Sequence, residues 1–470
     1  MKWDFIGRAL QQVSSFGFTI YLARILSPED FGLVAMSMVF IVFGEALVNL
    51  GLNSSLINFD KIDVVQINTV FILNLFIGVC LALILYFIGP SLAIYFYDNV
   101  QIIPLIKWLS LIVLPNSISL VPEALLKKEL KFKQLALANV IATLFAGIFA
   151  SIAVYNNMGV YGLLIQYLVF YTIRMFYVSI KSSYRPRFIF SFSSIKELWI
   201  YGKPLYISHI LYTIFNRIDN LVIAKYFEPV TLGYYYRAKS LSNLVVKYSS
   251  SSLNSVLFPF VSNMKGKREK VIRSSFKMIN IITIISFAIS AYLFVVSREL
   301  ILLLYTDKWV ASVKYFRYLI LAAAFVPISI SFENLLKGLG ESKVILYLEI
   351  VRRVGLVLGL FLGVIYSLEL FLLIFSINSI IGSVLSLTAF VHYFKNGGRK
   401  LLNLVLENCV IFVAALFLVL KIVSHIEYFS SIFAVFICKT VIYSSIVWLL
   451  LFIGKRSALR DIKGLAKRSL

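Results

Sequence analysis

The stretch Leu205-Tyr206-Ile207-Ser208-His209-Ile210-Leu211-Tyr212-Thr213-Ile214-Phe215-Asn216-Arg217-Ile218-Asp219-Asn220-Leu221-Val222-Ile223-Ala224-Lys225 decides how this chain is built. A helix of that length spans about 30 Å, the thickness of a bilayer's hydrocarbon core. At 100° per residue, Asp219, Tyr212, Asn216, His209, Asn220, Thr213 and Arg217 fall in that order on one arc of about 160°. The other side reads Ile210, Leu221, Ile214, Ile207, Ile218, Leu211, Val222 and Phe215, and only Ser208 interrupts it. A charge at the bilayer centre costs about 2.5–3.5 kcal/mol on insertion scales, so such groups face a cavity or a partner. The segment therefore reads as part of a transporter with a wet, charged interior.

The rest of the chain agrees. It has 470 residues, 60% hydrophobic and 14% charged, with a mean hydropathy of +0.90. A soluble protein carries about 25% charged residues. Apolar runs of membrane-spanning length follow one another from end to end, which predicts an all-α polytopic membrane protein. An outer-membrane barrel would show segments of about 10 residues with alternating polarity, and these runs are continuous instead. Fourteen spans are expected, near 6–26, 31–57, 64–89, 104–126, 134–154, 159–180, 200–224, 232–260, 278–297, 315–336, 344–365, 370–394, 403–420 and 428–453. The first is read as a span and not a signal peptide, because Gln11, Gln12, Ser14 and Ser15 interrupt it and no small-residue cleavage pattern follows.

The net charge of +23 is largely a matter of topology. Lys and Arg crowd alternate loops: Lys127, Lys128, Lys131 and Lys133; Lys181, Arg185, Arg187 and Lys196; Lys265, Lys267, Arg268, Lys270, Arg273 and Lys277; and the tail from Lys455. The intervening loops hold only Arg24, Lys225, Arg298, Lys308, Lys314 and Lys421. The positive-inside rule then places both termini in the cytoplasm, and the basic charge does not call for nucleic acid.

Two internal matches divide the chain. Ala23-Arg24-Ile25-Leu26-Ser27-Pro28 leading to Gly32 resembles Ala224-Lys225-Tyr226-Phe227-Glu228-Pro229 leading to Gly233. Glu123-Ala124-Leu125-Leu126-Lys127 matches Glu333-Asn334-Leu335-Leu336-Lys337 at nearly the same offset. A displacement of six spans preserves orientation, so the halves are parallel repeats about an axis along the membrane normal. The expected organisation is a six-helix lobe over 1–198, a pseudo-symmetric six-helix lobe over 199–400, and two additional helices with a basic tail over 401–470.

The repeat predicts that the first span shares the polar character of the seventh, and Gln11, Ser15, Arg8, Thr19 and Gln12 do fall on an arc of about 100°. The eighth span has a stripe of Ser250, Asn243, Asn254, Lys247, Ser240 and Ser251, with Arg237 and Lys239 near its outer end. The second offers Glu45, Asn49 and Asn53. Hydrogen bonds between membrane helices, at about 1 kcal/mol each, account equally well for the Ser and Thr residues. For Arg8, Arg217 and Lys247 a cavity is the better account. Glu45 and Asp219 are candidates for charge balance, and His209 for proton coupling or plain hydrogen bonding. Arg174, Arg352, Arg353, Lys107, Lys203 and Lys439 are read as snorkelling or paired near an interface.

Nothing in the chain points to catalysis or a cofactor. No Gly-rich loop ends in Gly-Lys-Ser/Thr. His209, His392 and His425 have no metal-ligand spacing, and Cys80, Cys409 and Cys438 read as apolar thiols.

Arg24-Ile25-Leu26-Ser27-Pro28-Glu29-Asp30-Phe31-Gly32-Leu33-Val34-Ala35 resembles a motif of Wzx-type oligosaccharide flippases, of the colanic-acid-type exporter branch, in the multidrug/oligosaccharidyl-lipid/polysaccharide exporter superfamily. Asn216-Arg217-Ile218-Asp219-Asn220, Leu232-Gly233-Tyr234-Tyr235-Tyr236-Arg237-Ala238 and Val256-Leu257-Phe258-Pro259 extend the resemblance, with Tyr236 standing where relatives often have Asn. It implies two six-helix lobes around a central cavity lined by spans 1, 2, 7 and 8. It also implies transport of undecaprenyl-pyrophosphate-linked oligosaccharide to the outer leaflet. On that reading Arg8, Arg217, Lys247 and Arg237 hold the pyrophosphate, because guanidinium and ammonium groups form charge-assisted hydrogen bonds with it. Gln11, Gln12, Asn216, Asn220 and Asn243 suit the sugar, and Asp219, Glu45 and His209 serve coupling or charge balance. Expected partners are membrane lipids, a coupling proton or sodium ion, and the polysaccharide polymerase and chain-length machinery. The alternatives are a cation-coupled multidrug exporter, a lipid II flippase, or a polysaccharide polymerase, which would need a catalytic cluster that the 298–314 loop lacks.

Overall fold

The computed structural model describes residues 2–262, 268–339, 341–394, 396–423 and 431–454. The side chains of Ser250, Ser251 and Asn254, and the tail cations from Lys455 onward, lie outside the described residues. Among those described, every regular element is a helix.

Contacts divide the chain into two compact units, Met1–Tyr236 and Arg237–Leu470. The first holds α1 (Lys2–Ile25), α2 (Pro28–Val48), α3 (Leu52–Asn58), α4 (Val64–Phe87), α5 (Gly89–Tyr97), α6 (Ile102–Ser110), α7 (Val113–Lys128), α8 (Phe132–Tyr155), α9 (Tyr161–Lys181), α10 (Lys196–Tyr226) and the beginning of α11 (Pro229–Ser262). The second holds the rest of α11, then α12 (Arg268–Val295), α13 (Ser297–Tyr305), α14 (Ser312–Leu339), α15 (Ser342–Ile365), α16 (Leu368–Phe394), α17 (Asn396–Val423) and α18 (Ile432–Gly454).

Among the described residues, ten segments are long and apolar enough to cross a membrane: α2, α4, the pair α6–α7, α8, α9, α12, α14, α16, α17 and α18. Four more helices, α1, α10, α11 and α15, are 24, 31, 34 and 24 residues long. At 1.5 Å per residue each reaches at least about 36 Å. These coincide with the first, seventh, eighth and eleventh expected spans. Their charged residues set them apart: Arg8 and Arg24 in α1, Arg217 and Asp219 in α10, Arg237 and Lys247 in α11, Arg352 and Arg353 in α15.

The second expected span is not one helix. It breaks after Val48, and Gly51 turns with φ +78° before α3 begins. A left-handed φ favours glycine. Here the lack of a side chain is needed twice, because a Cβ on Gly51 would overlap the Gly202 carbonyl of α10. Asn49 and Asn53 serve this break. The Asn49 Oδ1 accepts from Asn53 Nδ2 at 3.2 Å, and Asn53 Oδ1 accepts from Asn74 Nδ2 of α4 at 3.1 Å. Glu45, Asn49 and Asn53 therefore do not form a single polar face.

The two matched motifs meet each other. Ser27 caps α2 through a capping box with Asp30, and Pro28 opens the first turn. Its counterpart, Pro229, opens α11. A Cβ on Gly32 would overlap the Pro229 carbonyl oxygen, and a Cβ on Gly233 would overlap that of Pro28. The two matched motifs thus pack reciprocally, backbone against backbone. A pair of short helices extends the likeness. After α4 comes α5, ending at Tyr97 with Asp98 at φ 53°; after α12 comes α13, ending at Tyr305 with Thr306 at φ 83°. Both tyrosines are buried. Each helix is nine residues long, too short to stand out as a span.

Candidate functional site

In the first unit a chain of polar side chains runs through membrane-spanning helices. Glu45 of α2 is held by Asn116 of α7, whose Nδ2 donates to Oε1 at 3.0 Å. The Tyr171 hydroxyl of α9 lies against the same carboxylate. One turn along α9, Arg174 pairs with Glu123 of α7, and its Nε donates to Asn139 Oδ1 of α8 at 3.0 Å. Lys127 closes on Glu123 at 2.9 Å. Arg174 and Arg217 both lie within electrostatic reach of Glu45. Arg174, however, is committed to Glu123 and Asn139. Arg217 is half-buried on α10 and closes no ion pair among the described residues.

The two charges of the α10 polar arc are used differently. Asp219 is buried and accepts a hydrogen bond from the Tyr235 hydroxyl of α11. Asn220 beside it is 3% exposed. Toward the other end of the helix the arc opens: His209, Tyr212 and Asn216 are exposed. Asn216 donates its Nδ2 to the Tyr212 carbonyl at 2.9 Å, and Thr213 its hydroxyl to that of His209 at 2.8 Å. Asp219 and Asn220 thus sit in packed protein, whereas Asn216 and Arg217 stand nearer open surface. On α1, Arg8 is exposed, and Gln11 and Gln12 are half-buried.

In the second unit Arg237 is buried, with its guanidinium over Tyr305 and Trp309 at 5.8 and 5.9 Å from the ring centroids. Contacts of this kind contribute about 0.5–2 kcal/mol. Asn243 and Lys247 lie further along α11 and are exposed. The structure therefore leaves Arg217 within electrostatic reach of Glu45, joins Asp219 to Tyr235, and places Arg237, Asn243 and Lys247 in the other unit.

The cations read from sequence as snorkelling or paired are mostly paired. Arg352 of α15 pairs with Glu333 of α14 and with Glu349, and Arg353 pairs with Glu349. Lys439 of α18 meets Glu299 of α13 at 2.8 Å, both buried. Sequence reasoning missed Asn116 and Tyr171. An uncharged amide or phenol in an apolar run gives no signal until the helix across from it is known. Arg174 and Glu123 carried a signal each, as a charge within a span and as half of the repeat.

A family model described as "Polysaccharide biosynthesis protein" matches residues 21–314. The succinoglycan biosynthesis transport protein ExoT of Rhizobium meliloti is 25% identical, over 74% of this chain and 71% of its own. The lipopolysaccharide biosynthesis protein WzxC of Escherichia coli is 27% identical, over 61% of this chain and 59% of its own. Among solved structures, the lipid II flippase MurJ in an inward closed conformation superposes with a TM-score of 0.77 at 16% identity, over 98% of this chain and all of its own. At that identity the match shows a shared fold.

Proposed function

The chain belongs to the polysaccharide biosynthesis protein family, and from that premise we propose that it carries undecaprenyl-pyrophosphate-linked oligosaccharide repeat units across the bacterial cytoplasmic membrane by alternating access. The product would be a surface polysaccharide. The names of ExoT and WzxC support this reading, and the fold shared with a lipid-linked-substrate flippase supports it as well. On this reading all fourteen expected spans cross the bilayer, with both termini cytoplasmic and the polar faces of α1, α2, α10 and α11 along the substrate's path. The protein is a carrier and not an enzyme.

The observation that carries the proposal is Arg217, a half-buried guanidinium in a membrane helix that closes no ion pair among the described residues and lies within electrostatic reach of Glu45. A desolvated cation of this kind is poised for a multiply charged anion. Glu45 serves as its counter-charge in the empty carrier, and substrate phosphate displaces that interaction. Asp219, bound to Tyr235, is the second candidate for resetting the empty carrier. Arg8, Lys247 and Arg237 are the further anion-binding groups, and Gln11, Gln12, Asn216, Asn220 and Asn243 contact the sugar. A proton taken up at Glu45 or His209, or a sodium ion, would couple the cycle. The polymerase and chain-length machinery would take the delivered unit. A lipid II flippase is the second reading, favoured by the MurJ-like fold and served by the same pyrophosphate chemistry.

The test is lipid-linked oligosaccharide accumulation in cells lacking the protein, with inner- and outer-leaflet pools separated. Cytoplasmic-leaflet build-up relieved by the wild type but not by Arg217→Ala supports the proposal. Build-up of single repeat units on the outer leaflet would replace it with a polymerase, and build-up of peptidoglycan precursor with the lipid II reading.

A further inference from the structure

The connection between α9 and α10 has features that the transport path does not explain. Residues 185–192, Arg-Pro-Arg-Phe-Ile-Phe-Ser-Phe, form no helix. Buried side chains of α4 pin this segment. Asn68 Oδ1 accepts from the Arg187 backbone N–H at 2.6 Å and from the Tyr184 hydroxyl at 2.9 Å. Thr69 Oγ1 accepts from the Ser191 N–H at 3.1 Å. Gln66 Nε2 donates to the Ser194 carbonyl at 2.9 Å. Asn68 and Thr69 are both fully buried. The segment is therefore held at defined points.

The backbone turns between these points: the Ile189 N–H donates to the Arg187 carbonyl at 2.8 Å, and Phe192 opens a short 3-10 turn. The Arg187 and Ser191 N–H groups reach α4, and the apolar side chains between and beside them are exposed, Ile189 at 39% among them. Phe188 is 100% exposed, Phe190 44% and Phe192 68%. Phe190 and Phe192 meet edge to face with centroids 4.7 Å apart. Fully burying one such ring is favourable by about 1.5–3 kcal/mol, so three rings rigidly presented outward mark a surface that something covers. The pinning residues Asn68 and Thr69 lie four and five positions inside α4, or about 6–8 Å along its axis. That sets the segment beside the first turns of α4, a helix long and apolar enough to cross a membrane. The charges agree. Lys181, Arg185, Arg187 and Lys196 flank the rings with no Asp or Glu among them. The Arg185 Nη1 donates to the Ser182 and Tyr184 carbonyls at 3.0 and 2.9 Å and so caps α9. Arg187 and Lys196 remain exposed.

We propose that residues 187–192 form a built-in membrane-surface anchor: the Phe188, Phe190 and Phe192 rings lie at the boundary between headgroups and acyl chains, and Arg187 lies among anionic phospholipid headgroups. Aromatic rings favour this layer, and a basic residue near an anionic surface contributes about 1 kcal/mol. The anchor fixes the start of α10, the helix that carries Arg217, against the bilayer. The proposal needs only that the chain spans a membrane and does not depend on the substrate.

The experiment uses the full chain with Cys80, Cys409 and Cys438 replaced by Ala. A nitroxide is placed in turn at residues 188 to 192 through single Phe188→Cys, Ile189→Cys, Phe190→Cys, Ser191→Cys and Phe192→Cys variants in phosphatidylglycerol vesicles. Collision rates with oxygen and with an aqueous nickel chelate are compared, and Asp60→Cys, in an exposed loop, gives the aqueous reference. The expected result is oxygen-rich, nickel-poor positions at 188, 190 and 192, with the half-buried residue 191, held to Thr69, the least accessible of the five. Nickel accessibility at 188, 190 or 192 equal to that at 60 overturns the anchor. In phosphatidylcholine vesicles residue 188 should be shallower, and Arg187→Gln should abolish that lipid dependence. Equal depth in both lipids overturns the part assigned to Arg187. Should a label disturb folding, Phe190→Trp quenched by brominated lipid but not by iodide gives the same reading.

Discussion

The two units solve one packing problem with the same three side-chain types placed on different helices. In the first, Glu123 comes from α7, the amide Asn139 from α8 and the guanidinium Arg174 from α9. In the second, Glu333 comes from α14, the guanidinium Arg352 from α15 and the amide Asn378 from α16, whose Nδ2 donates to the Arg352 carbonyl at 3.0 Å. Arg and Asn have changed places. Glycine makes the second arrangement possible, because a Cβ on Gly355 would overlap Asn378 and one on Gly382 would crowd Arg352 Cδ at 2.8 Å. Each unit gathers a carboxylate, a guanidinium and an amide, although in the second the amide binds the Arg352 backbone and not its guanidinium. Beyond that set the units part. The first continues through Tyr171 to Glu45 and Arg217. The second continues through hydroxyls alone: Ser329 and Ser383 meet at 2.7 Å, and Ser383 and Ser376 donate to the carbonyls of Phe325 and Tyr318. The set is structural, and among the described residues it is extended by Glu45 in the first unit and by hydroxyls in the second.

Breaking the shared set should have the largest effect. Arg174→Met leaves Glu123 buried with only Lys127, and removing one partner of a buried pair costs about 3–5 kcal/mol. Arg352→Met should cost a similar amount, leaving Glu349 with Arg353 but Glu333 without its guanidinium. Thermal unfolding of the purified protein measures both. A loss below about 1 kcal/mol at either site would mean that the pair is a bystander. The exchange can also be imposed. Arg174→Asn with Asn139→Arg gives the first unit the order found in the second, and the double variant should regain at least half of the stability lost by Arg174→Asn alone. No recovery would show that the likeness is one of composition and not of geometry.

The extension should behave oppositely. Glu45→Gln keeps an acceptor for Asn116 and removes a charge from the membrane interior, so stability should hold within about 1 kcal/mol. Transport should fall by tenfold or more if Glu45 balances Arg217. Ser383→Ala, at a hydroxyl of the second unit, should leave transport intact. Measuring leaflet-resolved lipid-linked oligosaccharide in both variants separates the two, and equal transport in Glu45→Gln would end the distinction drawn here.

Much of this was legible in the chain. Hydropathy alone marks the ten apolar segments, and the polar arc of α10 separates it from them. The match of Glu123 with Glu333 pointed to the shared set before any contact was known. Three things were not legible. The break at Gly51 is set by Gly202, which lies far away in sequence. The nine-residue helices α5 and α13 merge with the ends of longer apolar runs. Tyr171 and Asn116 acquire meaning only from Glu45 on a neighbouring helix. Periodicity reports which face of a helix is polar, and it carries no information about which face of another helix meets it. For that reason Asp219 and Arg217, two residues apart on one arc, read alike in sequence and differ in the fold.

The smallest expected effect tests whether the hydroxyls of the second unit do more than fill space. Ser329→Ala removes one member of the Ser329–Ser383 pair, but Ser383 still reaches the Phe325 carbonyl at 2.9 Å and the Ser379 carbonyl at 3.0 Å. No buried group is stranded, so the loss should be about 0.5–1 kcal/mol, in line with hydrogen bonds between membrane helices. Ser383→Ala removes the donor that joins α16 to α14 and should cost more than Ser329→Ala. Equal losses would mean that the link between the helices runs through the Ser329–Ser383 bond and that the Ser383 bond to Phe325 adds nothing.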